Sequence, residues 1–163
     1  MRYANITTCD IANGNGIGVV LWCQGCSLDC PGCHNTCAHN PSEGTKFTQK
    51  EEDLILQELS RPQISRLTLS GGHPLEPYNL TACLDLCKRI KNELPDIKIW
   101  CYTGWLWEDV KDLAIIPYLD VLVDGPYIES LRNISIPWRG STNQRVINVK
   151  ASLKAGKVIN FID

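Results

Sequence analysis

The sequence predicts a single α/β domain over residues 1–163, built on a parallel sheet, and three observations carry that reading. Short apolar runs alternate with helix-length amphipathic segments, the order that right-handed crossovers turn into a parallel sheet. The unusual motifs each follow a strand-like run, where α/β folds place their ligands. A chain of this length with 44% hydrophobic residues is long enough for one sizeable core and short for two.

Taken in order, Gly18-Val-Val-Leu-Trp22 reads as a buried strand. Thr48-Gln-Lys-Glu51 has the spacing of a capping box and starts a helix to about Leu59. Arg66-Leu-Thr-Leu-Ser70 is a strand halted by Gly71-Gly72. Leu80, Cys83, Leu84, Cys87, Ile90 and Leu94 recur at helical spacing, with Lys88, Arg89 and Lys91 mostly opposite, and Pro95 closes that helix. Ile97–Tyr102 is the next strand, then a helix from about Glu108 to Ala114, then the strand Asp120–Val123. Arg145–Val149 and Val158–Phe161 are late β-like segments, and no internal repeat or linker interrupts the series.

A formal net charge of -2 leaves no basic excess to displace counterions from phosphates, which argues against nucleic acid as a partner. No apolar stretch approaches the roughly 20 residues of a membrane span, and MRYANITTCD lacks the apolar core of a signal peptide. Nine cysteines is an odd number that disulfides could not all pair. Together these predict a cytoplasmic protein with no membrane partner, whose cysteines are ligands or core.

Cys26-Ser-Leu-Asp-Cys30-Pro-Gly-Cys33 is the densest chemistry in the chain. Three thiolates on a cubane of four irons leave one iron with an open position, and such an iron can do chemistry as well as pass electrons. Zinc is disfavoured. Cys23-x2-Cys26 and Cys30-x2-Cys33 are only three residues apart, whereas paired zinc knuckles are separated by roughly 12 to 20. The ferredoxin run C-x2-C-x2-C-x3-C-P does not match either. Gly25, Pro31 and Gly32 make the segment a loop, which suits ligands better than core thiols.

C-x3-C-x2-C after one strand and Gly-Gly-x-Pro after the next resemble the radical S-adenosylmethionine superfamily. Asp10-Ile-x-Asn-Gly-x-Gly16, Leu69-Ser-Gly-Gly-x-Pro-Leu75, Thr103-Gly104, Val121-Leu-Val-Asp-Gly125 and Trp138-Arg-Gly-Ser-x-Asn-Gln144 narrow the resemblance. In order, from about residue 3 to 150, they resemble the activases of anaerobic ribonucleoside-triphosphate reductase. The resemblance implies an incomplete, open (β/α) barrel with a 4Fe-4S cluster on Cys26, Cys30 and Cys33. It implies S-adenosylmethionine bound by Gly32, Cys33, His34, Gly71, Gly72 and His73, with no catalytic residue beyond the cluster and cofactor ligands. The implied reaction is reductive cleavage of that cofactor to set a glycyl radical on the reductase. Implied partners are the glycyl-radical subunit, a low-potential donor such as flavodoxin or ferredoxin, and a second copy in a homodimer. An activase for another glycyl-radical enzyme, and a non-catalytic iron–sulfur electron carrier, are the alternatives.

The family carries Glu or Asp where this chain has His73. A carboxylate would take a charge-assisted hydrogen bond from the methionyl ammonium, whereas neutral imidazole has one uncharged acceptor. The substitution predicts weakened but retained binding, tightened by His73→Glu. His34 replaces an aromatic residue and is placed to stack on the adenine; Tyr102-Thr-Gly-Trp105 swaps the family's Trp and Tyr. Cys23 and Cys37 read as bystanders, and Cys83, Cys87 and Cys101 as core. Gly14-x-Gly16-x-Gly18 precedes its strand and is no dinucleotide fingerprint. Asp124 reads equally as a cofactor contact or a turn carboxylate. Trp138–Gln144 suits a protein interface.

Overall fold

The structure is a computed structural model and describes residues 1–161. Its strands are β1 (Arg2–Asp10), β2 (Gly18–Cys23), β3 (Thr45–Lys46), β4 (Arg66–Gly71), β5 (Lys98–Tyr102), β6 (Val121–Asp124) and β7 (Arg145–Asn148). The helices are α1 (Gln49–Leu59), α2 (Pro77–Glu93), α3 (Trp107–Val110) and α4 (Val149–Ala155). All seven strands join one sheet in the order β3-β1-β2-β4-β5-β6-β7. The centre, β2-β4-β5-β6, is parallel, while β1, β3 and β7 add antiparallel edges.

Residue alternation gives this sheet two different faces. Val19, Leu21, Leu67, Leu69, Ile99 and Leu122 point to one side, where Ile55 and Leu59 of α1 and Leu86 and Ile90 of α2 close the main core. Thr48 caps α1 through the capping box its sequence announces. The other face carries a smaller cluster of Trp100, Val121, Val123 and Val146. Trp138 and Phe161 pack edge-on against Trp100 there, at 5.1 and 5.2 Å between ring centres.

Fully buried Arg66 ties the first loop to this second face. Its guanidinium meets the Asp10 carboxylate at 2.6 Å and the Thr68 hydroxyl at 2.6 Å. Burial pushes the Asp10 carboxyl up, but Arg66 and Asn13 outweigh it and hold the group below the usual carboxylate range. Gly14 and Gly18 lie against the Arg66 side chain and Gly16 against Ser65, which accounts for those glycines without a nucleotide.

The sheet is mixed and does not close, with β3 and β7 as its edges. The expectation of an incomplete, open α/β architecture holds to this extent: the sheet is open, α/β, and has the anticipated parallel order at its centre. Strand β1 carries no apolar run because it is half-exposed, flanked on its outer side only by the two-residue β3, and it owes its order to pairing with β2 and β3. The expected helix at Glu108–Ala114 contracts to the single turn α3. Val158–Phe161 makes only a bridge, Ile147 to Asn160. Helix α4 went unread although its caps are visible: Asn148 accepts from the Ala151 amide at 3.0 Å, and Gly156 ends it at φ 66°. No helix among the described residues is long and apolar enough to cross a membrane.

Candidate iron–sulfur and cofactor site

The parallel order of β2, β4, β5 and β6 puts the cysteine loop, Gly71-Gly72, Thr103-Gly104 and Gly125 along one rim, at the strands' carboxyl ends. Cys23 and Gly71 are register partners, so the Gly-Gly turn starts beside the residue that leads into the cysteine loop. The two segments are then stitched together by backbone: the Gly72 amide donates to Cys23 O at 2.8 Å and the His73 amide to Gly25 O at 2.8 Å. A Cβ on Gly72 would strike the carbonyl oxygens of Gly25 and Ala38. The absence of a side chain there is therefore required by the protein's own packing, independently of any ligand.

Cys26, Cys30 and Cys33 are partly exposed free thiols on this rim. The Cys33 amide closes a turn onto Cys30 O at 3.0 Å. The Cys33 sulfur accepts from the Asn35 amide and lies against His39 Nε2, both at 3.4 Å. Burial raises the Cys26 thiol above its usual range; a Leu28 amide pulls it back, and Cys30, Glu76 and Cys33 push it further up. Three thiolates this close repel, and iron in the loop would remove that penalty by neutralising them. The donor set therefore fits a cluster. No three His, Cys, Asp or Glu side chains among the described residues form a site for one metal ion.

Beside the loop lies a cavity of about 320 Å³ lined by Cys33, His34, Ser70, Tyr102, Tyr127 and Gln144, among others. A larger hollow of about 650 Å³ lies at the opposite end of the strands, beside Lys98, Trp100 and Lys150, and touches none of the cysteines. Chemistry, not size, makes the first the candidate cofactor cavity. His34 and Tyr127 face each other across 5.3 Å at 47°, an aromatic wall next to the third cysteine. Glu129 lies so close to Gly32 that a Cβ there would collide with its carboxylate, at a backbone φ of 75°. The same Glu129 accepts from the Tyr127 hydroxyl at 2.7 Å, a bond within the loop after β6 that holds both side chains beside the cysteine loop.

Not all the predicted site residues reach that cavity. Cys33 and His34 line it, and Cys26, Cys30 and Gly32 stand in the same loop; Gly71, Gly72 and His73 form the layer behind. His73 is 1% exposed, its Nε2 is 2.6 Å from Thr103 Oγ1, and its ring meets Trp105 edge-on at 4.3 Å. Burial depresses its basicity, with Glu76 opposing. His73 Nδ1 lies 3.4 Å from Glu76 Oε1 but is not aligned for a hydrogen bond. Glu76, which sequence reasoning missed, is itself buried and accepts from the Ser27 amide at 3.0 Å and hydroxyl at 2.6 Å. A carboxylate thus stands three residues after the position where the family carries one, braced against the residue after Cys26.

Asp124 proves to be a turn carboxylate: it is fully buried, accepts from the Trp107 amide at 2.7 Å, and pairs with Arg145. Cys23, Cys83, Cys87 and Cys101 are buried, as expected of core thiols, whereas Cys37 is exposed outside the cavity wall. Trp138, at φ 59°, receives the Tyr102 hydroxyl on its carbonyl at 2.8 Å and so braces the cavity's far side.

With that geometry in view, comparison with known proteins is decisive about class. Residues 12–147 match the family model of a 4Fe-4S single cluster domain. The chain is 41% identical over 148 residues to the anaerobic ribonucleoside-triphosphate reductase-activating protein of Vibrio cholerae, covering 88% of this chain and 96% of that protein. It is 40% identical over 146 residues to the protein of that name in phage T4, covering 90% and 93%. The Escherichia coli K12 relative is 36% identical over 154 residues, covering 92% and 100%. The chain belongs to the family of anaerobic ribonucleoside-triphosphate reductase-activating proteins.

Proposed function

We propose that this protein activates an anaerobic ribonucleoside-triphosphate reductase by reductive cleavage of S-adenosylmethionine, with Cys26, Cys30 and Cys33 as the cluster ligands. The observation that carries the reading is the adjacency of a three-cysteine loop and a cavity walled by the third cysteine and by His34. A 4Fe-4S cluster held by Cys26, Cys30 and Cys33 would supply the one electron that cleaves the sulfonium of S-adenosylmethionine, the radical chemistry needed to remove a hydrogen atom from a glycine of the reductase.

The chain's own residues bind and orient. Cys33 would be one cluster ligand, and the adjoining His34, with Tyr127 as the facing ring, offers an aromatic surface for the adenine. The Gly71-Gly72 turn, locked to Cys23 and Gly25, presents main chain for the methionyl end. Ser70 and Tyr102 form the cavity floor on β4 and β5. Glu76 fixes Ser27 and with it the start of the cysteine loop, while His73 and Thr103 brace the turn from behind. Such support matters because a binding constellation has to be held within about 0.5 Å of its productive geometry.

The partner is proposed from the relatives' names, and the open rim gives a protein segment access to the cavity. Mixing the reconstituted, reduced protein and S-adenosylmethionine with the reductase is expected to give the doublet of a glycyl radical by electron paramagnetic resonance. A cofactor cleaved without that signal would redirect the activity to another glycyl-radical protein.

A further inference from the structure

His39 has no place in the reading so far, yet it touches the cysteine loop twice. Its carbonyl accepts from the Cys26 amide at 3.0 Å, which fixes the residue against the first ligand. Its ring then reaches across the loop, with Nε2 at 3.4 Å from Cys33 Sγ. Its side chain is 21% exposed, so the ring is partly withdrawn from solvent. On the ring's other side, the carboxylate of Asp29, a residue held at φ 42° within the loop, stands 3.7 Å from Nδ1. That distance is too long for a hydrogen bond, and Asp29 is so exposed that solvent screens most of its charge. The sulfur contact is the one that matters.

Chemistry fixes the direction of that contact once Cys33 binds iron. A thiolate has no proton to give, so the bond requires Nε2 to donate. The Asn35 amide donates to the same sulfur, and no other side chain among the described residues donates to a rim cysteine. Hydrogen bonds to cluster sulfurs are one of the levers that set the reduction potential, because they stabilise the extra negative charge of the reduced state.

We propose that His39 is a positioning residue for the cluster, donating through Nε2 to Cys33 Sγ and raising the cluster's reduction potential so that a weaker reductant can load it. The step concerned is the gain of one electron by the cluster from a low-potential donor, for which dithionite is the laboratory substitute. The inference rests on the cluster assignment proposed above and goes beyond it in naming what tunes that cluster.

The test compares wild type, His39→Phe and His39→Gln after anaerobic reconstitution. Phe keeps the ring and removes the donor, whereas Gln returns an N–H at nearly the Nε2 position. Iron and sulfide per chain are measured first, then the midpoint potential by dithionite titration followed by electron paramagnetic resonance, without S-adenosylmethionine. Equal iron in all three is expected. His39→Phe is expected to be about tenfold harder to reduce, about 59 mV for one electron, with His39→Gln close to wild type. Full iron in His39→Phe at the wild-type potential overturns the inference and leaves the cluster assignment standing. So does an equal shift in both variants, or loss of iron from both, which would make the ring a ligand or a scaffold. Wild-type protein that takes up no iron overturns the cluster assignment and this inference with it.

Discussion

Two sets of cysteines, which at Cys23 and Cys26 come within three positions of each other, have opposite fates. Cys26, Cys30 and Cys33 sit half-exposed in a glycine- and proline-bent loop on the rim. Cys23, Cys83, Cys87 and Cys101 lie in the main core between sheet and helices. Cys23 and Cys83 are 3.8 Å apart, and the hydrogen bond between them, with burial, pushes the Cys23 thiol far up. Burial does the same to Cys87 and Cys101. A thiol that resists ionisation is a poor ligand and a poor nucleophile, so it behaves as a small apolar side chain. The difference lies in the environment: a residue at the last position of β2 is core, and one three positions later is a ligand candidate.

The largest expected effect separates the sets directly. Replacing Cys26, Cys30 and Cys33 together by Ala should abolish iron uptake, while Cys37→Ala should leave it unchanged; iron retained in the triple variant would break the comparison. Next comes reactivity. In the native apoprotein an alkylating agent should modify the three rim cysteines while Cys23, Cys83, Cys87 and Cys101 stay protected until denaturant is added, which peptide mass mapping can read. Third, Cys83→Ser should cost about 1–3 kcal/mol by leaving a hydroxyl in an apolar site, seen in urea unfolding, with reconstituted iron content unaffected.

The smallest effects concern His73, at the seam between core and rim. Its folded basicity lies below the ordinary histidine value, so the unfolded chain binds the proton more readily. Its contribution to stability is therefore full above about pH 6.5 and is lost as pH falls from there through the lower folded value. His73→Gln, which keeps a donor for Thr103, should flatten that part of the pH dependence of the urea midpoint. The structure also revises what an acid at this position would do. His73→Glu alone sets a second carboxylate beside buried Glu76 and should destabilise the fold, whereas His73→Glu with Glu76→Gln should recover stability. Only the double variant then tests whether an acid there tightens S-adenosylmethionine binding by calorimetry.

The central strands, α1, α2 and the rim placement of the cysteine loop, Gly71-Gly72, Thr103-Gly104 and Gly125 were legible because apolar periodicity and turn glycines report burial that is local in sequence. Strand β1 was not, since Asn5, Thr7 and Asp10 give it no apolar run and its order comes from pairing with β2 and β3. Within the candidate site, the cysteine loop stood out by its spacing, but the residues that support it did not. Glu76 braces Ser27 from 49 positions away, and His39 reaches Cys33 only because the loop doubles back. Gly72 was expected to serve a ligand, and its environment shows that the protein's own carbonyls also require it.

Central to the chemistry is the proposal that the three rim cysteines and the cavity beside them form one reactive site. Its most direct test is the yield of 5′-deoxyadenosine from anaerobically reconstituted, dithionite-reduced protein supplied with S-adenosylmethionine. Wild type should form the nucleoside and the triple cysteine variant none. A fully iron-loaded wild-type protein that forms none would contradict the claim and leave an electron carrier in its place.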